Sequence, residues 1–232
     1  MGSPCGPDSH WNPGDFVTIR AMIVDDQVMV RAGLRMLLDE EPDIDVVAEA
    51  GNGIEAVAQA ARYRPDVLLM DIRMPELDGI EATRRVLAAD DTARVLILTT
   101  FNHDDHVYEA LRAGASGFVL KDEPPERLIA AVRTIAAGDA LLSPEVTRSV
   151  IAHFTQNRRE PPPSAIETLT SREMDVFRLI AAGLSNAEIG RELFISDTTV
   201  KTHVTRLLQK LQVRDRAQAI VMAYRCNVFE PS

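Results

Sequence analysis

Short apolar runs alternate with stretches of helical spacing through residues 17–137. Residues 17–24 form a β-rich apolar run that stops at Asp25-Asp26. Residues 27–40 then place Val30, Leu34, Leu37 and Leu38 on one helical face. The alternation repeats: strands are predicted at 45–50, 67–70, 94–98 and 117–120. Helices are predicted at 54–63, 80–89, 104–113 and from Pro124-Pro125 to Ala137. The strands are short, continuous and bounded by turn residues, as in a sheet buried on both faces. Strand–helix alternation of this kind predicts an α/β doubly wound sheet of five parallel strands.

The pattern changes after Gly138. Ser143-Pro144 opens a helical stretch at 145–154, and the polar run 155–164 carries Arg158-Arg159-Glu160-Pro161-Pro162-Pro163, an extended tether. Capped helices follow. Thr170-x-x-Glu173 and Ser185-x-x-Glu188 are capping boxes opening 171–182 and 186–193. Ser196 caps 197–211, and Asp215-x-x-Gln218 opens 216–224. Two short helices joined by the turn Phe194-Ile195-Ser196 make a helix-turn-helix candidate. The expected organisation is a disordered leader at 1–16, an α/β domain at 17–138, a linker at 139–163 and a small all-α domain at 164–232.

Charge divides along the same boundary. From Ser164 onward 9 Lys+Arg face 8 Asp+Glu, so the net −10 of the chain resides in the preceding part. No apolar run approaches the ~18–20 residues of a membrane span, so no membrane role is expected. Cys5 and Cys226 make neither a disulfide framework nor a zinc spacing, which fits a reduced, cytoplasmic setting. Residues 1–16 have no basic n-region or apolar core of a signal peptide.

Four positions follow strands directly: Asp25/Asp26, Asp71, Thr99 and Lys121. In a doubly wound sheet the carboxyl ends of the strands share one edge, where ligands bind. Carboxylates gathered there repel and raise one another's pKa unless a cation intervenes, and an all-oxygen set suits Mg²⁺. A cation beside a lysine also suits a phosphoryl group. A second motif competes. Gly51-x-Gly53-x-x-Ala56 follows a strand and opens a helix, with Asp71 about 20 residues on, as in a dinucleotide site. That reading leaves Asp25, Asp26 and Lys121 without a role. A tight turn and helix cap account for the glycines.

Asp25-Asp26, Asp71 with Met74-Pro75 and Gly79, Thr99, and the run Gly114-Ala115-Ser116-Gly117-Phe118-Val119-Leu120-Lys121 together resemble the receiver domain of two-component response regulators. The resemblance implies a flavodoxin-like fold. It implies that Asp71 accepts a phosphoryl group from a sensor histidine kinase. It implies that Asp26, Asp71 and the Arg73 carbonyl hold Mg²⁺, with Asp25 acting through water. Lys121 and Thr99 would then contact the phosphoryl oxygens, while Thr99 and Phe118 switch conformation together. Receivers often carry proline after the lysine. Here Asp122 follows Lys121, and a trans peptide is expected. Arg73 and Phe101, two beyond Asp71 and Thr99, are positioned in sequence to shield the acyl phosphate from water.

In the helix-turn-helix, Val200, Val204, Leu207, Leu208 and Leu211 form an apolar stripe, and Lys201, Thr202, Thr205, Arg206 and Gln209 project from it. After Asp197 this face holds cations and hydroxyls but no acid, a composition suited to base edges and phosphates. His203 borders the stripe and reads as a packing or phosphate contact; His103 and His106 are given no role. The segments Leu169–Glu173, Leu184–Ile189 and Ile195–His203 resemble the LuxR-type DNA-binding domain. Receiver plus this domain is the NarL/FixJ architecture. By that resemblance Lys201, Thr202 and Thr205 face bases of double-stranded DNA, while Thr198, Thr199 and Arg206 hold phosphates. Arg216, Ala219, Ile220 and Ala223 on the last helix join a homodimer formed on phosphorylation. The expected function is a transcriptional regulator switched at Asp71, not an enzyme beyond its own phosphoryl transfer and dephosphorylation. The alternative is a phosphorylation-independent DNA-binding regulator with a vestigial pocket.

Overall fold

A computed structural model of the chain describes residues 18–99, 104–138, 164–226 and 228. The leader, Phe101, His103, and the helix and tether expected within 139–163 lie outside the described residues.

The five strands are β1 (Ile19–Val24), β2 (Ile44–Ala50), β3 (Val67–Asp71), β4 (Arg94–Thr99) and β5 (Gly117–Leu120). They pair in parallel in the order β2-β1-β3-β4-β5. The order reverses between β1 and β3, which makes a cleft at their carboxyl ends. Five helices cover the sheet: α1 (Val28–Asp39), α2 (Gly53–Tyr63), α3 (Gly79–Ala89), α4 (Asp104–Ala113) and α5 (Pro125–Ala136). Strand side chains alternate between two cores, as the period of two requires. Ala21, Ile23, Leu69, Leu96 and Leu98 pack with Leu38 of α1 and Leu128, Val132 and Ile135 of α5. Met22, Val24, Met70 and Ile97 pack with Ala56, Ile80, Val86 and Leu111 of α2, α3 and α4. The fold is the expected flavodoxin-like one, and the element ends fall within two residues of the sequence reading.

The C-terminal part is helical: α6 (Ser164–Glu167), α7 (Ser171–Ala181), α8 (Asn186–Leu193), α9 (Asp197–Leu211) and α10 (Arg216–Arg225). The one-turn α6 is not anticipated by the pattern, because four residues are too few to show a period. Phe177, Ile180, Ile189, Val200, Leu207, Ile220 and Ala223 form its core. Both capping boxes are present at Thr170/Glu173 and Ser185/Glu188, and Ser196 accepts from the Thr199 N–H. The fourth cap, at Asp215, has the spacing of a box but is only half of one. Asp215 caps α10 by accepting from the Gln218 N–H, but the Gln218 side chain turns away to the carbonyls of Leu111 and Ala115. Through these and neighbouring contacts α10 packs against α4, and the core on that side of the sheet continues into the helical domain.

Candidate functional site

The strand-end residues do converge. Asp25 follows β1, Asp71 ends β3, Thr99 ends β4 and Lys121 follows β5. Asp25 and Asp71 are buried while Asp26 is exposed at the rim, and carboxylate oxygens of the three lie within 4.8 Å of one another. Lys121 Nζ stands 2.5 Å from Asp25 Oδ2 and 3.0 Å from Asp71 Oδ2. The Lys121 N–H also donates to the Thr99 carbonyl at 2.8 Å, which ties β5 to β4 at the pocket. The Lys121–Asp122 peptide is trans, as expected. Arg73 is exposed beside the pocket, and Phe118 is buried on β5.

The local chain explains why Asp71 is held so firmly. A Cβ on Gly79 would fall 1.9 Å from the Asp71 carbonyl oxygen, so only glycine lets the start of α3 pack there. Gly53, central to the dinucleotide motif, is explained in the same way. Its N–H donates to the Leu77 carbonyl, and a Cβ would stand 2.4 Å from that oxygen. With Asn52 capping α2 through the Glu55 N–H, the glycine motif packs one loop on another.

The electrostatics are unbalanced. Three carboxylates face one ammonium, and burial raises the Asp71 pKa above its ordinary value. Lys121 opposes that rise, and the Asp25 charge adds to it. Asp25 Oδ1 accepts from the Gln27 N–H at 2.9 Å, whereas Oδ2 is buried with no hydrogen-bond partner; its approach to Lys121 is an ion contact outside hydrogen-bond geometry. A spare buried carboxylate oxygen in an excess of negative charge fits a hard divalent cation. Opposite ligands of octahedral Mg²⁺ stand about 4.2 Å apart, close to the spread seen here. Arg31, which sequence reasoning did not single out, donates to the Asp25 carbonyl at 2.6 Å. An arginine on an amphipathic helix gives no sign of that contact.

A second candidate surface lies on α9. Val200, Val204, Leu207 and Leu211 are buried, Leu208 is half-buried, and Thr198, Thr199, Lys201, Thr202, Thr205 and Arg206 are exposed. The hydroxyls of Thr202 and Thr205 donate back to the carbonyls of Thr198 and Lys201, each at 3.0 Å. Lys201 Nζ rests 3.4 Å from Asp197. Phe194, in the turn before α9, has left-handed backbone (φ 56°) and is almost wholly exposed. By contrast Arg216, Ala219, Ile220 and Ala223 are buried. Arg216 donates to the Leu184 carbonyl and to Asn186 Oδ1, so these positions stabilise the domain and offer no open face in this arrangement.

Residues 21–133 match the response regulator receiver domain, and residues 167–223 match the luxR family of bacterial regulatory proteins. The transcriptional regulatory protein LiaR of Bacillus subtilis is 42% identical over 207 residues, covering 89% of this chain and 97% of LiaR. The chain belongs to the LuxR-type response regulators. The response regulator protein VraR of Staphylococcus aureus is 40% identical over 214 residues, 92% of this chain and all of VraR. The crystal structure of ChrA, a response regulator in a heme-sensing two-component system, is 38% identical with a TM-score of 0.50, covering 91% of this chain and 99% of that one. This response regulator therefore pairs an acidic receiver pocket with a helix-turn-helix DNA-binding domain, and its relatives are transcriptional regulators. Among the described residues no helix is long and apolar enough to cross a membrane.

Proposed function

We propose that a sensor histidine kinase phosphorylates Asp71 and that the phosphorylated protein binds promoter DNA as a dimer. The observation that carries this reading is the pocket itself: Lys121 bridges two buried carboxylates, one of them with a raised pKa, at the open end of the sheet. An Asp71 oxygen attacks phosphorus, a P–O bond forms, and the P–N bond to the kinase histidine breaks as imidazole leaves. The raised basicity of Asp71 favours the attack. Lys121 gives up a carboxylate contact and pairs with a phosphoryl oxygen. Thr99 turns its hydroxyl to another oxygen, and Phe118 changes rotamer in the space vacated. Asp26, Asp71 and the Arg73 carbonyl would hold Mg²⁺, with Asp25 reaching it through water. When bound, that ion neutralises charge on the transferring phosphoryl group. Arg73, exposed two residues beyond Asp71, would screen the acyl phosphate from water.

The chain is organised for this as a leader (1–16), a receiver (17–138), a linker (139–163) and a DNA-binding domain (164–232). It works in the cytoplasm, where its DNA lies. Lys201, Thr202 and Thr205 read bases, while Thr198, Thr199 and Arg206 hold phosphates; all six are exposed on α9. The vestigial-pocket alternative gains no support from an intact Asp25–Lys121–Asp71 bridge. The deciding experiment compares wild type with Asp71→Asn, each treated with acetyl phosphate and Mg²⁺. Wild type gains DNA affinity about 5–150-fold, and the variant gains none. A gain in the variant overturns the assignment of Asp71.

A further inference from the structure

We propose that Arg31 is a positioning residue for the acidic pocket. By holding the Asp25 carbonyl it sets the Asp25–Asp26 peptide, and with it the two carboxylates on either side of that peptide. The proposal rests on the reading of the pocket as an Mg²⁺ site. It gives Arg31 no contact with the ion or with a phosphoryl group.

The start of α1 is inverted. Val28 and Met29, in its first turn, are 67% and 84% exposed, whereas the Arg31 side chain is 18% exposed. Apolar groups outside and an arginine inside reverse the ordinary preference. A guanidinium has five donors and no acceptor, so it turns inward only toward acceptors. Arg31 Nη1 donates to the Asp25 carbonyl at 2.6 Å, and Nε lies 3.7 Å from Glu49 Oε2 on β2. A Cβ on Gly51 would stand 3.6 Å from Nη1, so the group also lies against the loop after β2. Helical side chains lean toward the N-terminus, which is how a residue within α1 reaches a carbonyl that precedes it.

The arrangement does not favour α1 itself. The positive end of the helix dipole is at the N-terminus, where a cation is unfavourable. The first turn holds no acid, and Gln27 makes no side-chain cap. The contact instead completes the fastening of Asp25. The Asp25 N–H donates to the Ala50 carbonyl at 3.2 Å, Oδ1 accepts from the Gln27 N–H at 2.9 Å, and Oδ2 faces Lys121. The carbonyl held by Arg31 is the remaining polar group of that residue. A peptide is planar, so fixing its oxygen also fixes the direction in which Asp26 leaves. Asp26 is exposed at the rim and takes its orientation from that plane.

Glu49 in turn anchors the arginine. It bridges Arg31 and Arg35, whose Nη1 stands 2.9 Å from Glu49 Oε1. A chain of contacts therefore runs from β2 through Glu49 and Arg31 to the peptide between the two acids. Partners of this kind orient the groups that ligate a metal, and their loss costs about 10–100-fold in metal affinity. Charge alone would act the other way. A cation beside a cation site lowers affinity, so an electrostatic role and a positioning role predict opposite signs.

The test takes Mg²⁺ dissociation constants of the full-length protein from the rise of Tm with Mg²⁺ concentration. Arg31→Met raises the constant about 10–100-fold over wild type. Arg31→Lys recovers part of the loss, since an ammonium reaches the Asp25 carbonyl but lacks the fork that also meets Glu49. Glu49→Gln keeps the guanidinium, loosens its anchor and shifts the constant in the same direction by less. The Mg²⁺ concentration giving half-maximal labelling of Asp71 by acetyl phosphate moves with the constant, while the rate at saturating Mg²⁺ recovers. An arginine that only stabilised the fold would lower Tm without Mg²⁺ and leave the constant unchanged. A constant for Arg31→Met equal to or below that of wild type overturns the proposal. Should Arg31→Met fail to fold, wild-type constants in both Arg31→Lys and Glu49→Gln overturn it. If wild type itself does not respond to Mg²⁺, the reading of the pocket as a metal site falls and the role of Arg31 falls with it. If Arg31→Met binds Mg²⁺ more weakly than wild type but neither is labelled by acetyl phosphate, Arg31 stands and the reading of Asp71 falls.

Discussion

Two buried clusters of charge in this protein are built on opposite terms. At the pocket, Asp25 and Asp71 share a single ammonium, with Asp26 at the rim, and one buried oxygen of Asp25 accepts no hydrogen bond. At the domain contact, Asp215 accepts from the Gln218 N–H and the Ser116 hydroxyl and lies 3.5 Å from Arg214. Burial lowers the Arg214 pKa, and Asp215 opposes that fall. The first cluster has negative charge to spare; in the second both oxygens of Asp215 are engaged, although the buried Nε of the neighbouring Arg94 has no hydrogen-bond partner. The difference is one of charge: the pocket gathers three carboxylates around Lys121, whereas both oxygens of Asp215 accept hydrogen bonds.

The strongest test of this contrast removes the ammonium that pairs with both buried carboxylates. Lys121→Met leaves Asp25 and Asp71 buried without their partner. The expected loss is about 3 kcal/mol in urea unfolding without Mg²⁺, and added Mg²⁺ should recover part of it. Little loss would mean that the carboxylates are already solvated.

On the completed side, Asp215→Ala removes a helix cap and strands the Ser116 hydroxyl. We expect a loss of about 2 kcal/mol in the same assay. A loss confined to a few tenths would show that water replaces the contact at no cost.

Glu173 extends the comparison to pH. A hydrogen bond from Lys210 at 2.6 Å and the Thr170 cap hold its carboxyl down at about 2, against an ordinary 4.5. A depressed carboxylate contributes stability above its unfolded pKa and loses it as pH falls through the folded one. Unfolding measured at successive pH values should show about 1–3 kcal/mol disappearing from pH 4.5 downward. Glu173→Gln should flatten that slope and lower stability at neutral pH.

The smallest effect has the opposite sign. Ionised Asp71 is raised by burial, so its charge costs stability at neutral pH, a cost relieved as pH falls through its folded value. Asp71→Asn should therefore raise Tm by about 2–4 °C without Mg²⁺, and Mg²⁺ should then stabilise it less than wild type. A drop in Tm would mean that the Lys121 pairing outweighs the crowding of like charge.

The strands were legible because burial on both faces demands apolar runs, and the helices because one face must be apolar. Asp25, Asp71, Thr99 and Lys121 were legible because the parallel topology sends every strand end to the same edge. The caps at Thr170, Ser185 and Ser196 were legible because a cap is a local contact between residues three apart. The cap at Asp215 was legible in the same way, since it accepts from the Gln218 N–H; that the Gln218 side chain turns to Leu111 and Ala115 was not, since a local rule cannot weigh a distant competitor. On the last helix Arg216, Ala219, Ile220 and Ala223 turn inward in this arrangement, and sequence spacing does not say which apolar face meets its own domain.

By itself the sequence determined the elements, the parallel direction of the strands and the gathering of acids and lysine at one edge, all consequences of period and chain direction. Only the tertiary structure decided that Lys121 bridges Asp25 and Asp71, that Arg31 supports the Asp25 backbone, and that Gln218 and Arg214 reach across to the receiver. The physical reason is the nature of the acceptors. The carbonyls of Asp25, Leu111, Gly114 and Ala115 belong to the backbone, which every residue carries alike, so nothing in the side-chain alphabet announces which of them will be left facing a donor.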